Sequence, residues 1–149
     1  MGKESMQDAI AMLISTVLGT LVGWERQMGR KPAGLRTHTL VCMGSTLFVL
    51  LTAHSVTAFG GGHNVDPTRI IHGVVTGVGF LGAGSIMRQE GFVHGLTTAA
   101  SVWMVAAIGV AVGCRAYWLA GGATLLALIV LEGYRWIEHM LAPGGESGE

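Results

Sequence analysis

The sequence predicts an all-α fold, a polytopic membrane bundle of five transmembrane helices with glycine-rich, tightly packed central helices. Three observations predict it. Charged residues make up 12% of the 149, about half the usual share for a soluble domain. Ile70 to Met87 is 18 residues without one Asp, Glu, Lys or Arg, the length and composition of a spanning helix. Four further apolar segments flank it, separated by short polar or glycine-rich breaks. The formal net charge is zero, so nothing points to a nucleic-acid partner.

The first span covers about residues 7–24. A signal peptide is the rival reading, but Glu4 follows Lys3 and Trp24-Glu25-Arg26 is a poor cleavage region. Ser15, Gly19 and Gly23 repeat every four residues and give this helix a small face suited to close packing. The next stretch, Glu25 to His38, crowds Arg26, Arg30, Lys31 and Arg36 around one acid, with a turn at Pro32 and Gly34. It reads as a cytoplasmic loop under the positive-inside rule, or more sharply as a headgroup- or partner-binding loop in which Glu25 pairs with an arginine.

The second span covers about 37–59, with Gly44, Ser45, Thr52 and Ser55 as small or polar positions. His38 and His54 lie near its two ends, as proton relays or, more ordinarily, as interface residues or partners of a backbone carbonyl. A loop from Gly60 to Pro67 follows. Asp66-Pro67 is a good helix start, and Asp66 and Arg69, three apart, can pair.

The third span covers about 69–87 and is the expected centre of the bundle. Gly73, Gly77 and Gly84 fall within about 40° on its wheel, and Gly79 and Gly82 lie opposite. A helix smooth on two faces admits two close neighbours, and Arg69 on the Gly73 face is expected to point into the bundle. Gly77, Gly79 and Gly82 also spell GxGxxG. That fingerprint needs a preceding strand and an acid about 20 residues on, whereas here it lies inside an apolar span. It therefore reads as packing, not nucleotide binding.

The fourth span covers about 95–113, with a smooth stripe of Gly95, Ala99, Ala106 and Gly113. Thr97 and Thr98 are candidate caps, and Trp103, mid-span, is a packing anchor or the wall of a cavity. The fifth span, about 117–137, carries Tyr117 and Trp118 at one end and Tyr134 and Trp136 at the other, as an aromatic belt requires. Glu132 and Arg135 are three apart near its end. Residues 143–149 read as a disordered tail. Cys42 and Cys114 read as small buried hydrophobes, with no disulfide framework or metal-ligand pair. Basic residues on the first and third connections and the C-terminal end are Arg26, Arg30, Lys31, Arg36, Arg88 and Arg135, against Lys3, Arg69 and Arg115 on the other side. That bias places the N-terminus outside and the C-terminus in the cytoplasm.

Three blocks, ERQMGRKPAGLRTHTLVCMGS, TRIIHGVVTGVGFLGAGSIM and VHGLTTAASVWMVAAIGVAVG, resemble in order the membrane domain of the MgtC/SapB family, from about Gly19 to Gly113. The resemblance implies a bacterial inner-membrane protein linked to magnesium limitation and to survival inside macrophages, hence to virulence. It implies modulation of other membrane proteins, the ATP synthase among those proposed, more than transport. Longer relatives carry a cytoplasmic ACT-like domain after the last span, and this chain ends before it. The family's motif positions fall on Glu25, Arg26, Gly34, Arg36, Thr37, Arg69, Gly73, Gly77, Gly79, Phe80, Gly82, Ala83, Gly84, Gly95, Leu96, Thr97, Thr98, Ala99 and Trp103.

The expected functional polar set is Glu25, Arg26, Arg36, Thr37, Asp66, Arg69, Thr97 and Thr98. The expected packing set is Gly73, Gly77, Gly79, Gly82, Gly84, Gly95, Ala99 and Trp103. No nucleophile–base pair, H-E-x-x-H or carboxylate pair is visible, so the reading is non-enzymatic, without cofactor or bound metal. The expected partners are the lipid bilayer, a second copy in a homo-oligomer (a dimer favoured) and other membrane proteins. A transporter or channel for Mg²⁺ or another small solute is the alternative. Against it, Asp8, Glu25, Asp66, Glu90 and Glu132 all lie at or near span ends, whereas a Mg²⁺ path is expected to place acids along or around it.

Overall fold

The chain is built from helices because long apolar runs in lipid must satisfy their backbone hydrogen bonds internally. The computed structural model describes residues 2–58, 66, 68–89 and 92–141. Its elements are α1 (Lys3–Met28), α2 (Leu35–Ala58), α3 (Thr68–Gly84), β1 (Met87–Gln89), β2 (Phe92–His94), α4 (Leu96–Gly113) and α5 (Tyr117–Leu141). Among the described residues four helices, α1, α2, α4 and α5, are long and apolar enough to cross a membrane. At 17 residues α3 spans only about 25 Å, short of a hydrocarbon core of about 30 Å.

The side-chain distribution is that of a protein dissolved in lipid. Large apolar groups such as Leu13, Val17, Trp24, Leu40, Phe80, Trp118, Leu125 and Ile129 are exposed, while Ser15, Arg26, His38, Thr46, Thr98, Ser101 and Thr124 are buried. In water so much exposed apolar surface would drive association.

Helix α4 is the hub. It packs against α1, α2, α3 and α5, and glycines let it. A Cβ on Gly109 would collide with the Cys42 carbonyl oxygen and lie 2.9 Å from Ser45 Cβ; one on Gly113 would lie 2.6 Å from Val49 Cβ. Thr46 closes the same contact by donating to the Gly109 carbonyl at 2.8 Å. The α1 stripe behaves as its period implies. Ser15, Gly19 and Gly23 are all buried, and a Cβ on Gly19 or Gly23 would press on α2 at 2.8 Å from Cys42 Cβ and 2.7 Å from Leu35 Cα.

The glycines of α3 do not behave as expected. A Cβ on Gly73, Gly77, Gly79 or Gly84 would meet nothing within 4 Å; only Gly82 approaches a neighbour, Ala99, at 3.6 Å. α3 packs on α4 through Val74, Val78 and Gly82, and its Gly73–Gly77 face opens onto an apolar groove against α2. Arg69 is exposed, not turned into the bundle. The reason is geometric: a smooth face permits a close neighbour but does not supply one, and α2 stands off.

Further corrections concern the chain ends of helices. Between α3 and α4, β1 and β2 pair antiparallel, with Met87 opposite His94 and Arg88 opposite Val93. Gly95 precedes α4 in a left-handed conformation (φ 88°), where a Cβ would collide with the Ser85 carbonyl oxygen. Its role is therefore a turn, not a helix stripe. Neither Thr97 nor Thr98 caps α4 through its side chain. Trp103 is half exposed and walls clefts between α3 and α4 beside Val78, so it is not a packing anchor. Cys42 is buried but Cys114 is exposed. The loop before Asp66 and the tail from 142 lie outside the described residues, as does the Arg135 side chain.

Candidate functional site

Two polar clusters tie the helices together, one at each end of the bundle. The larger lies where α1 ends and α2 and α4 begin. Sequence alone places Glu25 and Arg26 in a loop, but α1 continues to Met28 and carries them into the packed interface. Arg26 is buried, 3% exposed. Its guanidinium lies 3.7 Å from Glu25 Oε2 and reaches across to Thr98 Oγ1 at 3.4 Å. A guanidinium is never deprotonated in a protein, so its burial demands this carboxylate and hydroxyl. Both Glu25 oxygens are buried and accept no hydrogen bond in the structure. That carboxylate is held by charge alone.

His38 is fully buried beside it. Its Nδ1 lies 2.9 Å from the Gly34 carbonyl oxygen and its Nε2 3.0 Å from Ser101 Oγ. A carbonyl only accepts, so Nδ1 carries a proton. Ser101 Oγ also sits 2.8 Å from the Thr98 carbonyl oxygen. One hydroxyl proton thus faces two acceptors while His38 is neutral, whereas a proton on Nε2 would let Nε2 donate to Ser101 and Ser101 to Thr98. Bonding to a backbone carbonyl is the role expected of His38; Ser101 carried no signal in the sequence beyond being a small polar residue mid-helix.

Ser101 and His38 stand at the distance of a nucleophile and its base, a pair that sequence does not show because 63 residues separate them. Both are buried, with exposures of 4% and 0%. Of the other polar residues expected here, Arg36, Thr37 and Thr97 are exposed at the same end and Thr98 joins Arg26.

At the opposite end Asp8 bridges two side chains, His54 and Arg115. Oδ2 lies 2.6 Å from His54 Nε2 and Oδ1 2.6 Å from Arg115 Nη2, linking α1, α2 and the α4–α5 turn. Arg115 sits at φ 62°, a conformation uncommon outside glycine. Asp66, also at this end, opens α3. Its Oδ1 accepts from the Thr68 N–H at 2.9 Å and the Thr68 hydroxyl at 2.7 Å. No ion pair joins it to Arg69 among the described residues.

The Thr68 hydroxyl and N–H hold the Asp66 carboxyl below its ordinary value of 3.8. A lowered carboxylate stabilises the fold above its unfolded pKa, and the contribution is lost as the pH falls through the folded value. Asp66 is fully exposed, so the effect is small. Asp66→Asn keeps the capping oxygen and is expected to leave the melting temperature unchanged, while Asp66→Ala lowers it slightly. Thermal scans of detergent-solubilised variants read this; loss of cellular function in a stably folded Asp66→Asn protein would show that the charge itself acts.

Five helices with an apolar outside, a polar inside and an ionic cluster near each end define a polytopic α-helical membrane protein. The chain belongs to the MgtC family, whose model matches residues 12–140. It is 40% identical over 134 residues to an Escherichia coli K12 protein named "Putative magnesium transporter YhiD", covering 89% of this chain and 62% of that one. It is 43% identical over 117 residues to Protein MgtC of Salmonella typhimurium LT2, covering 78% and 48%. It is 32% identical over 133 residues to Protein SapB of Bacillus subtilis, covering 87% and 57%. The chain thus spans about half to three fifths of the length of these relatives. No solved structure matches it.

Proposed function

We propose that this membrane protein serves magnesium homeostasis as a non-enzymatic modulator of other membrane proteins in the bacterial inner membrane, with its basic end in the cytoplasm. The magnesium link rests on the family and on the name of the Escherichia coli relative. The modulator reading rests on one observation: the acids near the membrane are already engaged. Asp8 holds Arg115 and His54, Glu25 faces Arg26 and Asp66 caps α3. Mg²⁺ gives up water reluctantly and wants several oxygen ligands, usually including carboxylates. Among the described residues no three His, Cys, Asp or Glu side chains converge.

One observation favours the transporter reading instead. Glu25 has two buried oxygens without hydrogen bonds, and oligomerisation could gather several such carboxylates. Chemical cross-linking in cells starved of magnesium, followed by purification in mild detergent, separates the two. A modulator is expected to bring down one membrane protein in stoichiometric amount, lost on return to high magnesium. Recovery of the chain alone under both conditions would contradict the proposal.

A further inference from the structure

We propose that the groove between α2 and α3 is a binding site for an anionic glycerophospholipid, with an acyl chain along the groove and the phosphate at its basic mouth. The groove encloses about 690 Å³ and is lined by Leu40, Val41, Gly44, Phe48, Gly73 and Gly77, among others. Its walls are almost entirely apolar, and the glycines on both sides face open space. From Leu40 to Phe48 on α2 it runs about 12 Å, and from Ile70 to Leu81 on α3 about 16 Å. That is about the depth of one leaflet of a hydrocarbon core of about 30 Å.

The charge at the mouth selects the occupant. Arg36, Leu40, Gly44 and Phe48 recur every four residues, so Arg36 continues the groove stripe of α2 one turn beyond its apolar part. Thr37 stands in the same way before Val41 and Ser45. Both are exposed. Exposed Arg88 on β1 adds a cation after α3 at the same end. No Asp or Glu occurs from Gln27 to Ala58. A guanidinium with a hydroxyl beside it suits a phosphodiester, and basic sites between transmembrane helices take anionic headgroups.

The test is native mass spectrometry of the full chain from detergent micelles, titrated with phosphatidylglycerol or phosphatidylcholine. One phosphatidylglycerol is expected to bind per chain, with phosphatidylcholine clearly weaker. Arg36→Gln is expected to weaken phosphatidylglycerol about fivefold and to erase the preference. Gly44→Leu and Gly77→Leu project into the groove and meet no packed neighbour, so both are expected to fold and to lose the lipid. Equal binding of the two lipids, unchanged binding in both leucine variants, or a lipid-free dimer that Gly77→Leu dissociates would overturn the assignment.

Discussion

Gly109→Leu is expected to abolish the folded protein, while Gly77→Leu leaves its detergent stability unchanged. Both are glycines in apolar helices; the sequence pattern places Gly77 in the expected packing set and does not single out Gly109. The structure puts the tight contact at Gly109. At Gly109 even a methyl group would run into the Cys42 backbone carbonyl and crowd Ser45 Cβ at 2.9 Å. Backbone cannot swing aside as a side-chain end can, so α2 and α4 must separate. Separation breaks the 2.8 Å bond from Thr46 to the Gly109 carbonyl. The cost should exceed the roughly 1–3 kcal/mol of ordinary overpacking. At Gly77 nothing lies within 4 Å. Size-exclusion profiles and thermal scans of the two variants check the contrast; an intact Gly109→Leu protein would mean that α2 and α4 do not meet as described.

The second large effect is expected at Arg26. Arg26→Met leaves the Glu25 carboxylate buried without its cation and Thr98 without its donor. Breaking a buried pair from one side costs about 3–5 kcal/mol, enough to deplete the folded protein in the membrane. Removing both charges removes the problem, so Glu25→Gln combined with Arg26→Met is expected to recover most of the lost stability. A double variant no better than Arg26→Met alone would show that Arg26 acts through partners other than Glu25. Function need not return with stability, and a folded but inactive double variant would place this ion pair in the protein's activity.

Much of this architecture is legible in the sequence, for reasons that differ by element. Ser15, Gly19 and Gly23 announce the α1–α2 contact because a period of four on a helix has one meaning: a small face. Asp66 announces a helix start because capping chemistry is local. The Glu25–Arg26 contact is legible as a pair but not as a buried one, since a run of basic residues beside Pro32 and Gly34 reads as solvated loop. Only the extension of α1 by one further turn takes Arg26 inside. His38 with Ser101, and Thr46 with Gly109, depend on helix register between segments 63 residues apart, which no local pattern encodes. The glycines of α3 mark where a neighbour could approach and are silent on whether one does. The strands Met87–Gln89 and Phe92–His94 are too short for their alternation to register.

The central claim is that the chain modulates other membrane proteins and does not itself conduct Mg²⁺. It is tested most directly by purified protein in liposomes loaded with a magnesium-sensitive dye. The engaged state of Asp8, Glu25 and Asp66 predicts Mg²⁺ influx no faster than into empty liposomes. A saturable influx above that background, abolished by Glu25→Ala or Asp66→Ala, would contradict it and make the protein a transporter.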